Sequence, residues 1–202
     1  MNFSTDRDLL ALEPNVFNDA ALTSQRRLTV TDAVIAGTTL TSASADFVAA
    51  QVDTGSVVVV DSNPLEVIAR VDANTLTVSK PRSLKTDAAI PPGDGSALTL
   101  HVDTFALQAT LVHDALLRMM GLDIDDATAP VTEDAIISVG LMAHLEALGT
   151  LERVYSAAVA LTGDDNPERI RRADLYRRRF ATAREGAVIL LDADGDGRVD
   201  TR

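Results

Sequence analysis

The sequence predicts an α+β protein: an N-terminal arm and a small antiparallel β domain, followed by a C-terminal α-helical bundle. Three observations lead there. β-branched runs separated by turn clusters fill residues 26–103. The apolar period lengthens from two to about 3.6 near Thr104. A strong helix start, Asn166-Pro167-Glu168, opens a last helix that is rich in arginine. The expected organisation is an arm at 1–25, a β-rich domain at 26–103, a helical bundle at 104–191 and an Asp/Gly-rich tail at 192–202.

In the arm, Thr5-Asp6-Arg7-Asp8 caps a short helix that Pro14 stops. Its apolar residues, Leu9, Leu10, Leu12, Val16 and Phe17, suit a strap reaching across an interface, or else a cover for an edge of the same core. We assign Leu9, Leu10 and Phe17 to docking. Strands follow at Leu28–Thr31, Val57–Val60, Leu65–Val71, Thr75–Ser79 and Leu98–Val102. Asp61-Ser62-Asn63-Pro64 and Asp72-Ala73-Asn74 read as hairpin turns. Ser44–Ala50 reads as a short helix, and Thr86–Ser96, with its Pro-Pro-Gly-Asp-Gly run, as an exposed loop.

Phe105, Ala109, Val112, Leu116 and Met119 recur at helical steps until Gly121 ends the run. After the acidic loop Asp123–Pro130, Thr132 caps a helix to about Leu148 that is apolar on nearly every side and therefore central. Gly149-Thr150 predicts a break before the stripe Leu151, Val154, Tyr155, Ala158 and Val159. The last helix is expected to run to about Leu191. Its stripe of Ile170, Ala173, Tyr176, Phe180, Ala183 and Ala187 faces the core, which leaves Arg171, Arg172, Arg178 and Arg179 outside.

Charge narrows the function. The chain has 30 Asp and Glu against 18 Lys and Arg, a net charge of -12. That argues against wrapping nucleic acid, where phosphate neutralisation supplies most of the affinity, but leaves passive contact with a sliding duplex. Seven of the sixteen arginines nevertheless fall between Arg169 and Arg184. Such a helix is a solvated face, a phosphate-binding face or a docking face for acidic protein; guanidinium forks pair well with carboxylates, so docking leads. With no cysteine there is no disulfide or thiolate metal site. Met1–Asp8 lacks the basic and apolar regions of a signal peptide, and no apolar run approaches the ~20 residues of a membrane span. The chain is expected to be soluble.

His101, His113 and His144 are scattered without metal-ligand spacing. No nucleophile elbow and no phosphate-cradling glycine loop occurs, so no enzyme is expected; an acid–base site built on Asp123, Asp125 and Asp126 is the remaining catalytic reading. The tail holds one motif. Asp192, Asp194 and Asp196 occupy positions 1, 3 and 5 of an EF-hand-type loop, with Gly197 at the turn, the Arg198 carbonyl at position 7 and Asp200 at position 9. Position 12, the bidentate Glu, falls one residue past Arg202, so calcium binding would be weak and a turn-rich acidic tail is the leading reading of the stretch. No cofactor is required; calcium is the ion this loop would take.

The helix order from about Thr104 onward, with Leu141-Met142-Ala143-His144-Leu145-Glu146-Ala147-Leu148 in the buried helix and Leu175-Tyr176-Arg177-Arg178-Arg179-Phe180 in the last, resembles the head-tail connector (adaptor) proteins of tailed bacteriophages and gene-transfer particles. The likeness covers the helical half; the β-rich half and the Asp-rich ending depart from that family's compact helical form. It implies a virion neck protein: a homo-oligomeric ring of about twelve copies under the portal protein, next to tail or stopper proteins, lining the channel through which DNA leaves. It brings no catalytic residues. The alternative is a calcium-dependent binding or surface module built on the tail loop.

Overall fold

The computed structural model describes residues 2–122, 131–162, 166–192 and 198–199. It is a mixed α+β protein whose described residues include a closed six-stranded antiparallel barrel and five helices. The chain forms two compact units, Thr5–Phe105 and Met1–Ser4 with Ala106–Arg202. No helix among the described residues is long and apolar enough to cross a membrane.

In the first unit, α1 (Asp6–Leu12) and α2 (Val16–Asp19) precede six strands: β1 (Gln25–Ala36), β2 (Thr39–Thr41), β3 (Val57–Val60), β4 (Asn63–Arg70), β5 (Thr75–Ser79) and β6 (Gly95–Thr104). Around the barrel their order is β1-β2-β5-β4-β3-β6. The meander β3-β4-β5 has β6 returning by a long connection beside β3, a Greek-key arrangement. Register shifts at three places along β1 bend it along its ladder with β6. Alternating residues fill the barrel, among them Val58 and Val60, Leu65 and Val67, Leu76 and Val78, and Leu100 and Val102.

β3 departs from this alternation: all four of its valines are buried. A strand buried on both faces needs a cover outside the barrel, and α1 packs against β3 and β4. Leu9, Leu10, Val16 and Phe17 are accordingly buried, with Phe17 against Phe105 at 5.1 Å between ring centroids. Glu66 is also buried, although it faces outward between Leu65 and Val67. Arg7 of α1 donates from Nε to its Oε2 at 2.9 Å, and Arg82 donates from Nε to Oε1 at 2.5 Å. Two guanidiniums on one carboxylate thus fix α1 and the segment after β5 on the barrel wall.

The turn signals fall where expected. Asp61 and Ser62 form the two-residue β3–β4 turn with φ of 45° and 67°, the left-handed pair a type I′ turn requires. Ser44–Ala50, expected as a helix, is an irregular turn. Ala45 and Phe47 pack into the barrel core, and Phe47 N–H donates to Ala73 O at 2.7 Å, outside the stretch, and not to a carbonyl one turn earlier as a helix would need.

The second unit contains α3 (Ala106–Met119), α4 (Val139–Thr162) and α5 (Pro167–Glu185). α3 ends in a Schellman motif: Leu122 N–H donates to Leu117 O at 3.0 Å and Gly121 N–H to Arg118 O at 3.0 Å, with Gly121 at φ +79°. Three expectations need correction here. Thr132 precedes a short 3₁₀ turn, Glu133–Ala135, and α4 begins only at Val139. α4 runs unbroken through Gly149-Thr150. α5 stops at Glu185 because the chain then turns to pair Leu191 with Ile136, so Ile189–Leu191 is not helical.

Gly149 allows close helix packing. A Cβ there would lie 2.7 Å from Val112 Cγ1 of α3 and 3.1 Å from Phe180 Cζ of α5. Glu146, one turn earlier, is fully buried and accepts from Phe3 N–H at 3.0 Å, Ser4 N–H at 2.9 Å and Ser4 Oγ at 2.6 Å, while His113 Nδ1 lies 2.9 Å from Oε2. His113 Nε2 is 3.3 Å from Glu133 Oε2; both contacts are hydrogen bonds only when both ring nitrogens carry protons. Residues 2–4 therefore belong to this unit.

Gly149→Leu is expected to destabilise the protein by about 3 kcal/mol, near the top of the overpacking range, seen as a lower urea midpoint at unchanged helix content. Glu146→Ala, which strips four donors of their acceptor, should cost about 3–5 kcal/mol and make the bonds at residues 2–4 accessible to limited proteolysis.

Candidate functional site

The arginine-rich helix α5 starts where the sequence sets it: the Asn166 side-chain oxygen accepts from Glu168 N–H at 3.1 Å and Arg169 N–H at 3.2 Å. Ala173 and Tyr176 are buried on its inner stripe, and Phe180 is partly so. The Tyr176 ring stacks on Tyr155 of α4, with centroids 5.8 Å apart and planes 4° from parallel.

The four predicted docking arginines divide. Arg171, with a side chain 75% exposed, pairs with Glu168 at 2.8 Å. Arg178 is exposed and contacts its own helix through Asp174 O at 3.3 Å. Arg179 is exposed, 5.7 Å over the Tyr176 ring. Arg172 does not face outside: its side chain is 18% exposed, its Nη1 donates to Tyr155 Oη at 3.0 Å, and its guanidinium lies 5.7 Å over that ring. The reason is helical geometry. Arg172 stands four residues before Tyr176, on the margin of the buried stripe, and fastens α5 to α4. Arg171, Arg178 and Arg179 remain, with half-exposed Leu175 among them, as a cationic face on a chain of net charge -12. Anionic surface of the same chain includes the barrel unit's exposed Asp46, Asp53, Asp61, Asp72, Asp87 and Asp94.

Leu9, Leu10 and Phe17 are also corrected. All three are buried in the barrel unit, so none is presented to a partner. The signal for this was available: the four-valine run of β3 demands apolar cover, and these residues supply it.

A polar cluster passed over in the sequence sits at the end of β6. Asp103, fully buried, accepts from Ser24 Oγ at 2.9 Å and Arg26 Nε at 2.7 Å, both on Oδ1. Among the described residues its Oδ2 has no hydrogen-bond partner; it faces His101 Nε2 at 3.4 Å. Burial foremost, with Arg26 nearby, holds the His101 imidazole below its usual range. Ser24 donates to the carboxylate and not to the imidazole, so the contacts lack the serine–base link of a nucleophile relay. A cleft of about 550 Å³ at the barrel mouth is lined by Pro14, Pro64, Pro81 and Pro92 with Ile35 and Leu98.

Of the tail loop, Asp192 N–H donates to Ala135 O at 2.8 Å and Arg198 is exposed. Asp194, Asp196 and Asp200 lie outside the described residues, as do Asp123, Asp125 and Asp126. Among the described residues no three His, Asp or Glu side chains gather as a metal-binding group. No protein-family model, no curated protein and no solved structure matches the chain.

The clearest electrostatic perturbation is at Asp6, the first residue of α1. The residue keeps some exposed surface, but its carboxylate lies deep, accepting from Phe105 N–H at 3.0 Å. Burial raises its pKa from 3.8 to about 6, against the hydrogen bonds from Phe105 and Thr104 and the charge of Arg27, while Asp103 adds to the rise. The folded state holds this proton more tightly than the unfolded chain. Its stabilisation is therefore complete below pH 3.8 and is lost as pH rises through about 6. At about 1.4 kcal/mol per pH unit the loss is on the order of 3 kcal/mol. Asp6→Asn, which keeps the acceptor for Phe105, should match the parent near pH 4 and exceed it in melting temperature at pH 7, flattening the profile between.

Proposed function

We propose that this chain is a structural virion protein, a head-tail connector (adaptor) subunit that assembles into a homo-oligomeric ring under the portal protein. On this reading it acts by contact and not by catalysis, works in the neck of the particle beside tail and stopper proteins, and is made in the host cytoplasm. Helices α3–α5 are the bundle that would carry the connector role, with the barrel as an addition to it.

The observation that carries the reading is charge segregation. Pro167–Glu185 has seven arginines against three carboxylates, in a chain of net charge -12. Five of those arginines, Arg171, Arg177, Arg178, Arg179 and Arg184, face solvent. A positive face on a negative protein favours docking to acidic surface, on a neighbouring subunit or on the portal, and disfavours like-charged alternatives. The same negative balance suits a channel wall, because it repels phosphate and lets DNA pass without binding.

Arg178→Glu with Arg179→Glu tests this. The fold should lose little, since among the described residues Arg178 bonds only its own helix and the exposed ring contact of Arg179 is worth about 0.5–1 kcal/mol. Docking to portal, followed by light scattering, should weaken by roughly tenfold or more. Docking equal to the parent's would refute the reading.

A further inference from the structure

We propose that a second copy of this chain seats the barrel corner carrying Asp46, Val48, Val71 and Asp72 in the groove between α3 and α4. This deepens the ring reading by placing the subunit contact away from the outer face of α5.

α3 is apolar on two sides. Val112 and Leu116 are buried within its own unit, but Leu107, Leu111, Ala115 and Met119 repeat at four-residue steps along another stripe, and Leu107, Leu111 and Met119 are 58%, 48% and 57% exposed. Beside that stripe runs a groove of about 560 Å³, with the small residues Gly149 and Ala157 of α4 in its lining. A helix that buries one stripe and leaves a second one beside a cleft is prepared for another apolar surface.

The charge at this groove identifies the occupant. Arg153 lines it, exposed and without an ion-pair partner among the described residues. Arg184 lies 5.4 Å over Phe180 and 3.5 Å from Met119 Sδ, both lining residues, and likewise has no carboxylate partner among the described residues. Among the described residues the one acidic lining residue, Glu152, faces Arg177 at 3.8 Å. An incoming surface should therefore be apolar and acidic.

The barrel corner has that character. Val48 and Val71 are 53% and 64% exposed, and Asp46 and Asp72 stand beside them, exposed. The corner is stiff, because Phe47 N–H donates to Ala73 O at 2.7 Å, Asn74 Nδ2 to Ala45 O at 2.5 Å and Arg70 Nη1 to Val52 O at 2.8 Å. Asp46 and Asp72 each accept one backbone N–H, from Ala49 and Asn74 at 2.9 and 2.8 Å, which orients them without neutralising them. Two valines against the Leu111 stripe and two carboxylates against Arg153 and Arg184 make a contact of apolar centre and charged rim. Groove and corner are different surfaces, so the contact is head-to-tail and repeats from copy to copy.

Because the chain has no cysteine, disulfide trapping can read this contact directly. Ala157→Cys in one preparation and Val71→Cys in another, mixed under oxidising conditions at high concentration, should form the mixed disulfide at least tenfold more than Ala157→Cys mixed with Thr86→Cys, a cysteine in an exposed loop. Arg153→Glu added to the Ala157→Cys chain should cut the yield, and Asp72→Arg added to its Val71→Cys partner should restore it. A yield no higher than the Thr86→Cys control overturns the proposal. The two readings separate cleanly. Selective trapping with portal docking indifferent to Arg178→Glu/Arg179→Glu leaves this contact standing without the connector role. Sensitive docking without selective trapping removes this contact alone.

Discussion

The fold depends on four consecutive valines. Val57–Val60 make β3 apolar on both faces, and a six-stranded barrel can cover only one of them. The other face must be covered from outside, and the segment before β1 does this with Leu9, Leu10 and Phe17. A stretch that looks detachable in the sequence thereby contributes Leu9, Leu10, Val16 and Phe17 to the core.

Covering an apolar face is not directional, so polar anchors set where each segment lies. Glu66 receives Arg7 and Arg82 in the barrel unit, and Glu146 receives Phe3, Ser4 and His113 in the helical unit. A buried carboxylate with fully matched donors adds little net stability, but it makes misplaced alternatives expensive because each would leave a charge unpaired. Both glutamates therefore act as registers, Glu146 for Phe3 and Ser4 and Glu66 for Arg7. Of the arginines in α5, Arg172, Arg179 and Arg184 each lie over an aromatic ring, but only Arg172 is drawn inward by it. Arg171, Arg172 and Arg177 pair with Glu168 and Asp174 on the same helix, so counting arginines overstates its free positive charge.

Much of the architecture was legible where local chemistry decides it. The strands β3 to β5, the turn at Asp61-Ser62, the glycine stop at Gly121 and the Asn166 cap all follow from residues within a few positions of each other. The expected arm, the break at Gly149 and the end of α5 failed for a shared reason: each was decided by a distant partner. Gly149 reads as a helix breaker alone, yet it is where Val112 and Phe180 come close. Asp192 and Leu191 leave the helical path because Ala135 and Ile136 offer backbone partners. Of the site, the exposure of Arg171, Arg178 and Arg179 was readable from helical period. Arg172 was readable only in part, since its place four residues before Tyr176 puts it on the margin of the stripe but the Tyr155 hydroxyl that holds it lies on another helix, and the groove beside α3 required the α3–α4 packing to be known.

The division of the chain at Ser4 also bears on the order in which it folds. Everything the barrel unit needs lies between Thr5 and Phe105, so that unit is complete in sequence as soon as Phe105 has left the ribosome. Phe3 and Ser4 wait longer, since their acceptor on Glu146 is 143 and 142 residues away. Phe3 and Ser4 are therefore synthesised before the barrel unit but fixed after it, and their capture marks the completion of the helical unit.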